Sequence, residues 1–175
     1  TPMIGYSIVR AIDETMPRMN SPFVEGADGK PRLIRHEHVG LGLAVDLEKA
    51  DGSRSLLVPV IRDADTLDFR AFWGTYEEII RKVRSNKLTV DDFAGATITL
   101  TNPGGLGTVA SAPRLMSGQG AIIATGSIAY PVEWQHAPAD RVKALGVSKV
   151  MTMTSTYDHR VIQGAESGSY LRRID

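Results

Sequence analysis

The sequence TSTYDHRVIQGAESG, residues 154–168, places a histidine where one kind of secondary structure gives way to another. Before it, apolar and polar positions alternate over residues 147–159, which predicts a strand. After it, residues 161–174 predict a C-terminal helix rich in small residues. His159 is thus predicted at the end of a strand, where a fold can hold an imidazole in place while one ring nitrogen stays free. Imidazole takes up a proton near neutral pH, so this position suits a general base.

The rest of the chain predicts an α/β fold with an open mixed sheet and helices packed on one face. Two stretches, 1–16 and 66–87, have apolar residues at helical spacing. Residues 26–30 (GADGK) predict a hairpin turn. Strand patterns cover residues 38–47, 55–62 and 120–129, and residues 96–105 predict a strand that runs into a glycine-rich turn.

Four local expectations follow from the residue pattern. Pro59 lacks the N–H that a central strand needs, so it predicts an edge or a bulge. Thr66 or Asp68 is expected to cap the long helix. Residues 131–146 predict a polar loop. The aromatic stripe of that helix is interpreted as helix core rather than as a platform for stacking bases; it comprises Phe69, Phe72, Trp73 and Tyr76.

Composition limits the classes of function. The 175 residues include 20 basic and 20 acidic side chains, so no bulk charge favours nucleic acid or an anionic membrane. No apolar run approaches the ~20 residues that span a bilayer. The absence of cysteine excludes a cysteine nucleophile and a thiolate metal site. His36 and His38 would share a strand face, but no third ligand is near in sequence, so we expect no metal there.

A glycine-rich turn, TLTNPGGLGT at residues 99–108, is the second stretch with possible chemistry. Thr99 and Thr101 share one face of the predicted strand, so the turn offers hydroxyl and backbone donors to a developing oxyanion. The alternative is a tight turn after a core strand. An alternative stands for His159 as well, because Asp158 and Arg160 on either side can form a surface ion pair with the histidine merely exposed.

Four segments in order resemble the acyltransferase catalytic domain of 2-oxoacid dehydrogenase complexes. They are SLLVPVIRDADTLDF (55–69), DFAGATITLTNPGGLGT (92–108), GQGAIIATGSI (118–128) and STYDHRVIQGAESG (155–168). The resemblance covers nearly the whole chain, and it is strongest to the branch in which this domain is embedded in a multifunctional 2-oxoglutarate dehydrogenase or decarboxylase. It implies a fold like that of chloramphenicol acetyltransferase, with active sites between the subunits of a trimer.

The resemblance also assigns roles to residues. It implies that His159 is the general base that removes the proton from the thiol of coenzyme A or dihydrolipoamide. It implies that Thr101 stabilises the oxyanion. Gln163 stands where the family has Asp or sometimes Asn, and its neutral amide can still donate and accept hydrogen bonds. Thioester exchange needs no enzyme nucleophile, so a chain without cysteine can perform it.

The context implied by the resemblance is a 2-oxoglutarate dehydrogenase system of the tricarboxylic acid cycle, in the cytoplasm. The expected activity is acyl transfer, and the acyl group expected first is succinyl. The expected partners are a lipoyl domain of an acyltransferase component, dihydrolipoamide dehydrogenase and further copies of the chain, with no nucleic acid and no membrane. Thiamine diphosphate and Mg²⁺ are implied only for the rest of a longer polypeptide.

Two further expectations complete this picture. The chain begins without Met and directly in a helical pattern. We therefore expect residues 1–175 to be an excerpt of a longer polypeptide. The resemblance further implies that this excerpt lacks a preceding stretch of the domain and its last helix. The alternative function is a non-catalytic trimerising module that docks a thiamine-diphosphate-dependent region to a lipoyl-bearing partner.

Overall fold

The computed structural model describes residues 1–48 and 51–175, which fold around one mixed sheet. The helices are α1 (Pro2–Glu14), α2 (Phe69–Arg84), α3 (Ala139–Ala144) and α4 (Gly164–Ile174). The strands are β1 (Phe23–Glu25), β2 (Pro31–Leu33), β3 (Leu41–Glu48), β4 (Arg54–Leu57), β5 (Val60–Ile61), β6 (Ile98–Thr101), β7 (Ala121–Thr125) and β8 (Met153–Tyr157).

The central sheet has the strand order β4-β3-β6-β7-β8, and β5 also pairs with β3. The pairs β3·β6 and β6·β7 are parallel, whereas β8 runs antiparallel to β7. The sheet is therefore mixed, as the sequence predicts. The small β1–β2 hairpin stands apart from it, and its turn includes the predicted GADGK segment.

The hydrophobic core lies between one face of the sheet and the helices α1, α2 and α4. Alternation along each strand directs every second side chain to this face, which confirms the prediction from the apolar periodicity. Leu41, Leu43, Ile98, Leu100 and Ile123 supply the sheet side of the core and are almost fully buried. The opposite face carries Thr99 and Thr101, and an irregular segment runs past it; Met116 and Gln119 of that segment contact the hydroxyl of Thr99.

Proline and capping predictions are confirmed around β3. The pattern over residues 55–62 is split into β4 and β5, because the interruption at Pro59 removes a ladder donor. Asp68, rather than Thr66, caps α2: its Oδ1 accepts the N–H of Ala71 at 2.7 Å. Thr66 instead donates its hydroxyl to the carbonyl of Asp63.

Several predicted element boundaries are wrong. The strand predicted over residues 147–159 is reduced to β8, Met153–Tyr157. Before it, the pairing thins to one hydrogen bond from Gly126 to Thr152 and an isolated bridge between Ala129 and Val150, because β7 ends at Thr125. Residues 131–146 are not one polar loop. They contain α3, which forms because Val142 is buried on its inner side.

The aromatic stripe of α2 is only partly core. Phe72 is fully buried, but Phe69 and Trp73 remain 38% and 44% exposed. Phe69 packs edge-on against Tyr6 of α1 and against Trp73, so these rings form a cluster at the rim of the core rather than inside it. Periodicity identifies the apolar side of the helix but not how far the sheet extends beneath it.

Among the helices described for this chain, none is both long and apolar enough to cross a membrane.

Candidate active site

His159 lies on an exposed loop two residues beyond the end of β8. The loop starts where the N–H of Asp158 donates to the carbonyl of Gly120 at 3.0 Å. The carbonyl of Asp158 then accepts the N–H groups of Val161 and Ile162, which closes a compact turn around the histidine. The sequence prediction that His159 is at a sheet end and outside the core is confirmed.

The charged neighbours of His159 pair with each other. The guanidinium of Arg160 donates three hydrogen bonds to the Asp158 carboxylate: Nε lies 2.9 Å from Oδ1 and 3.2 Å from Oδ2, and Nη2 lies 2.6 Å from Oδ2. These bonds hold the pKa of the Asp158 carboxyl below its ordinary value. Arg160 also lies over the ring of Phe23 in β1, 3.7 Å from the ring centre. The ion pair thus braces the loop against the hairpin and leaves the imidazole outside it.

The end of the loop is anchored in the core. Ile162 is fully buried and Val161 is 9% exposed, so two apolar side chains hold the segment from below. Gln163 follows as the exposed N-cap position of α4, and its backbone N–H donates to the carboxylate of Glu166 at 2.7 Å. The structure therefore places Gln163 at the helix start on the same loop as His159.

Thr101 is the last residue of β6, and the turn after it is built on asparagine and glycine. The side chain of Asn102 accepts the N–H of Gly104 at 3.1 Å and so caps a 3₁₀ turn, Pro103–Leu106. Gly107 ends that turn at a φ of 87°, a conformation that glycine adopts without strain. Thr101 is half-buried beside this turn.

An open cavity of about 460 Å³ borders Thr101. Its walls come from the ends of β3 and β6, from Tyr76 and Ile80 of α2 and from the turn after Thr101. Arg54 and Asp46 also line it, paired with each other through a hydrogen bond. Thr101 thus borders a space that can admit part of a small molecule.

A single chain does not bring Thr101 and His159 together. Thr101 is level with Ala124 of β7 and, through it, with Thr154 at the start of β8. Because β8 runs the other way, His159 follows its far end. Tyr157 is already three residues, ~10 Å, along the sheet and two strand spacings, ~9.6 Å, across it from Thr101. The two candidate residues therefore lie at opposite ends of the sheet.

The other histidines form no metal centre among residues 1–48 and 51–175, where no group of three or more His, Cys, Asp or Glu side chains converges. His36 and His38 do not share a strand face, because both precede β3 in a loop. Nδ1 of His38 lies 3.0 Å from the Asp65 carboxylate, whose other oxygen accepts the N–H of Val39 at 2.7 Å.

Sequence reasoning missed two residues that shape the loop of His159. Phe23 supports Arg160, and Glu166 binds the backbone of Gln163. Glu166 could have been predicted from the sequence, because a Glu three residues after the N-cap of a helix is typical of a capping box. Phe23 had none, because its contact with Arg160 depends on how the hairpin docks.

The fold and the sequence together define the class of this protein. The family model for the catalytic domain of 2-oxoacid dehydrogenase acyltransferases matches residues 1–175, and the chain belongs to that family. A multifunctional 2-oxoglutarate metabolism enzyme of Mycolicibacterium vanbaalenii is 54% identical over 174 residues, which is 99% of this chain and 14% of that enzyme. The chain thus spans about one seventh of the length of this relative.

Solved structures agree with this assignment. A probable dihydrolipoamide acetyltransferase from Listeria monocytogenes is 26% identical with a TM-score of 0.77, over 99% of this chain and 67% of the other. The cubic core of a pyruvate dehydrogenase multienzyme complex is 30% identical with a TM-score of 0.75, over 99% and 65%. Chloramphenicol acetyltransferase, 14% identical with a TM-score of 0.55 over 99% and 74%, shares the fold. The expected fold class is confirmed.

Proposed function

We propose that this chain transfers an acyl group, a succinyl group in the first instance, between dihydrolipoamide and coenzyme A. The observation that carries the proposal is the exposed imidazole of His159 on a loop braced at both ends, in a chain of an acyltransferase family. A base held in this way can approach a thiol that comes from solvent or from another subunit. The succinyl preference is supported by the 2-oxoglutarate enzyme that the chain resembles.

His159 and Thr101 divide the chemistry between them. His159 takes the proton of the attacking thiol, and the thiolate sulfur forms a bond to the thioester carbonyl carbon. The hydroxyl of Thr101 donates a hydrogen bond to the oxyanion of the tetrahedral intermediate. The intermediate collapses by breaking its bond to the other sulfur, and the imidazolium returns the proton to that leaving thiolate.

With these two roles, the distance between the residues calls for two copies of the chain at each site. Because Thr101 and His159 lie at opposite ends of one sheet, a carbonyl that contacts Thr101 of one copy must meet His159 of another. This need supports a homotrimer or higher oligomer, and one structural relative is the core of a multienzyme complex. Gln163 then acts through its position at the start of α4, not as a carboxylate.

The surroundings of the domain are part of the same proposal. We infer that residues 1–175 form the acyltransferase domain of a longer cytoplasmic polypeptide, since the multifunctional relative is about seven times longer. Its partners would be a lipoyl domain and dihydrolipoamide dehydrogenase in a 2-oxoglutarate dehydrogenase system. Thiamine diphosphate and Mg²⁺ would serve regions outside this chain.

A second candidate is a trimerising module that places a dehydrogenase region near a lipoyl-bearing partner without its own catalysis. The observation in its favour is Gln163, whose amide replaces the carboxylate usual in the family. In this case His159 and Thr101 would be surface residues without a shared substrate.

Substitution of His159 separates the two candidates. In the full-length protein, His159→Ala should lower acyl transfer from acyl-dihydrolipoamide to coenzyme A by about 10²–10⁴-fold, the usual contribution of a general base. His136→Ala is the matched control, because His136 is also exposed but lies on the loop before α3. Full transfer activity in the His159 variant would favour the module.

A further inference from the structure

Glu166, in the first turn of α4, links the loop of His159 to the other end of the chain. Its Oε2 accepts the backbone N–H of Gln163 at 2.7 Å. Its other carboxylate oxygen, Oε1, lies 3.3 Å from Nη1 of Arg18. Arg18 belongs to the 3₁₀ turn Pro17–Asn20 that follows α1. One side chain thus binds both the end of the histidine loop and a separate element of the fold.

The two contacts of Glu166 differ in strength. A carboxylate bonded to the N-cap N–H stabilises the start of a helix, and the positive end of the helix dipole favours the negative charge. The ion pair with Arg18 is half-exposed, so it adds little stability by itself. Its effect is to orient the carboxylate, because it fixes which oxygen faces Gln163.

The loop of His159 therefore has two fixed ends. At one end the N–H of Asp158 is bonded to Gly120 of the sheet, and at the other the N–H of Gln163 is bonded to Glu166. Loss of either end frees the backbone on one side of the histidine. The buried side chains of Val161 and Ile162 would still hold the segment to the core, so the loop would loosen without the chain unfolding.

We propose that Glu166 is a positioning residue for His159, acting through the backbone of residues 158–163 and through Arg18. The proposal rests on the acyl transfer proposed above. Glu166 supplies the negative charge at the start of α4 that the neutral amide of Gln163 does not. A general base that is displaced by a fraction of an ångström from its thiol loses rate steeply, whereas binding of a large thiol substrate is spread over many contacts.

The test uses the full-length protein and the thiol-dependent transfer assay. Glu166→Ala should lower kcat by about 10–100-fold with KM for the thiol changed less than about 2-fold. Glu166→Gln keeps an acceptor oxygen for Gln163 but loses the charge, so it should fall between Glu166→Ala and the unmodified protein.

The conservative variant is Glu166→Asp, which keeps a carboxylate three residues into α4 and, with it, an acceptor for the backbone N–H of Gln163. It should retain clearly more of kcat than Glu166→Ala. Arg173→Gln is the control, because it breaks the ion pair of Arg173 with Glu14 at the other end of α4. This control should leave kcat unchanged.

The outcomes separate this proposal from the proposed function. Unchanged kcat in Glu166→Ala, or an equal loss in Arg173→Gln, overturns the positioning role. If Glu166→Ala does not fold, unchanged kcat in Glu166→Gln overturns it instead. If His159→Ala retains full transfer, acyl transfer by His159 itself fails, whatever the Glu166 variants do.

Discussion

Thr101 and His159 stand at opposite ends of the same sheet, because β6 ends at Thr101 and the antiparallel β8 ends just before His159. In the proposed reaction, the thiol that His159 deprotonates attacks the carbonyl whose oxyanion Thr101 binds, so both residues must lie at one site. The strand register keeps them apart within one chain, so the proposed site must be shared by two chains.

A mixing experiment tests this relationship. The variants Thr101→Val and His159→Ala should each be nearly inactive alone. When the two are unfolded and refolded together, or co-expressed, sites that combine the intact Thr101 of one chain with the intact His159 of the other should regain activity. If the two variants assemble at random in a ring, about a quarter of all sites combine an intact Thr101 with an intact His159. Activity no higher than the sum of the separate variants would contradict a shared site.

The hydroxyls of Thr99 and Thr101 should have separable effects. Thr101 is half-buried beside an open cavity, so Thr101→Val should leave the melting temperature nearly unchanged. The transfer rate should fall by about 10²–10³-fold, because the donor proposed for the oxyanion is lost. Thr99 is buried and donates to Oε1 of Gln119 at 2.9 Å. Thr99→Val should cost about 1–3 kcal/mol of unfolding free energy, since it leaves that acceptor without its donor. Unchanged turnover in Thr101→Val would remove Thr101 from the site.

Gly126, directly after β7, packs closely against the backbone of Val109, and this contact gives a third prediction. A methyl group on Gly126 would lie 1.8 Å from the carbonyl oxygen of Val109, so Gly126→Ala must displace that segment. We expect a loss of about 1–3 kcal/mol in unfolding free energy, measured by chemical denaturation. Gly105→Ala is the matched control in the same turn, because its added methyl meets no atom within 4 Å. Equal losses in both variants would show that the close contact is not the cause.

The pair of His38 and Asp65 should make stability depend on pH. The hydrogen bond to the Asp65 carboxylate raises the pKa of His38 above its ordinary value of 6.5. A raised pKa in the folded state contributes stability that is fully present below the unfolded pKa and is lost as the pH rises through the folded pKa.

The denaturation midpoint should therefore fall as the pH is raised from 6 through the titration of His38, apart from changes that other groups cause. His38→Asn removes this contribution, so the difference between the two proteins should shrink with rising pH. A difference that stays constant or grows would show that the pair does not act through protonation. His36→Asn is a suitable control because His36 is exposed in the same loop.

The elements that a local sequence pattern marks could be predicted from the sequence. Alternation in residues 38–47 identifies β3, and the turn after Thr101 follows from Asn102, Pro103 and the glycines. The sequence also shows the junction of strand and helix around His159, because the spacing of apolar residues changes there from that of a strand to that of a helix. Such signals arise from the backbone geometry of a few neighbouring residues, so the sequence determines them without knowledge of distant contacts.

The tertiary structure decided those features that depend on residues far apart in the sequence: strand length, exposure and long-range contacts. β8 is shorter than its pattern because its neighbour β7 sets how many residues can pair, and Trp73 is exposed because the core ends beneath α2. The contact of Glu166 with Arg18 joins segments from opposite ends of the chain. The same holds for the site: the sequence selects His159 and Thr101 as chemical groups, but the strand order and register separate them. Periodicity is a local property, whereas register is fixed only when strands that are far apart in sequence meet.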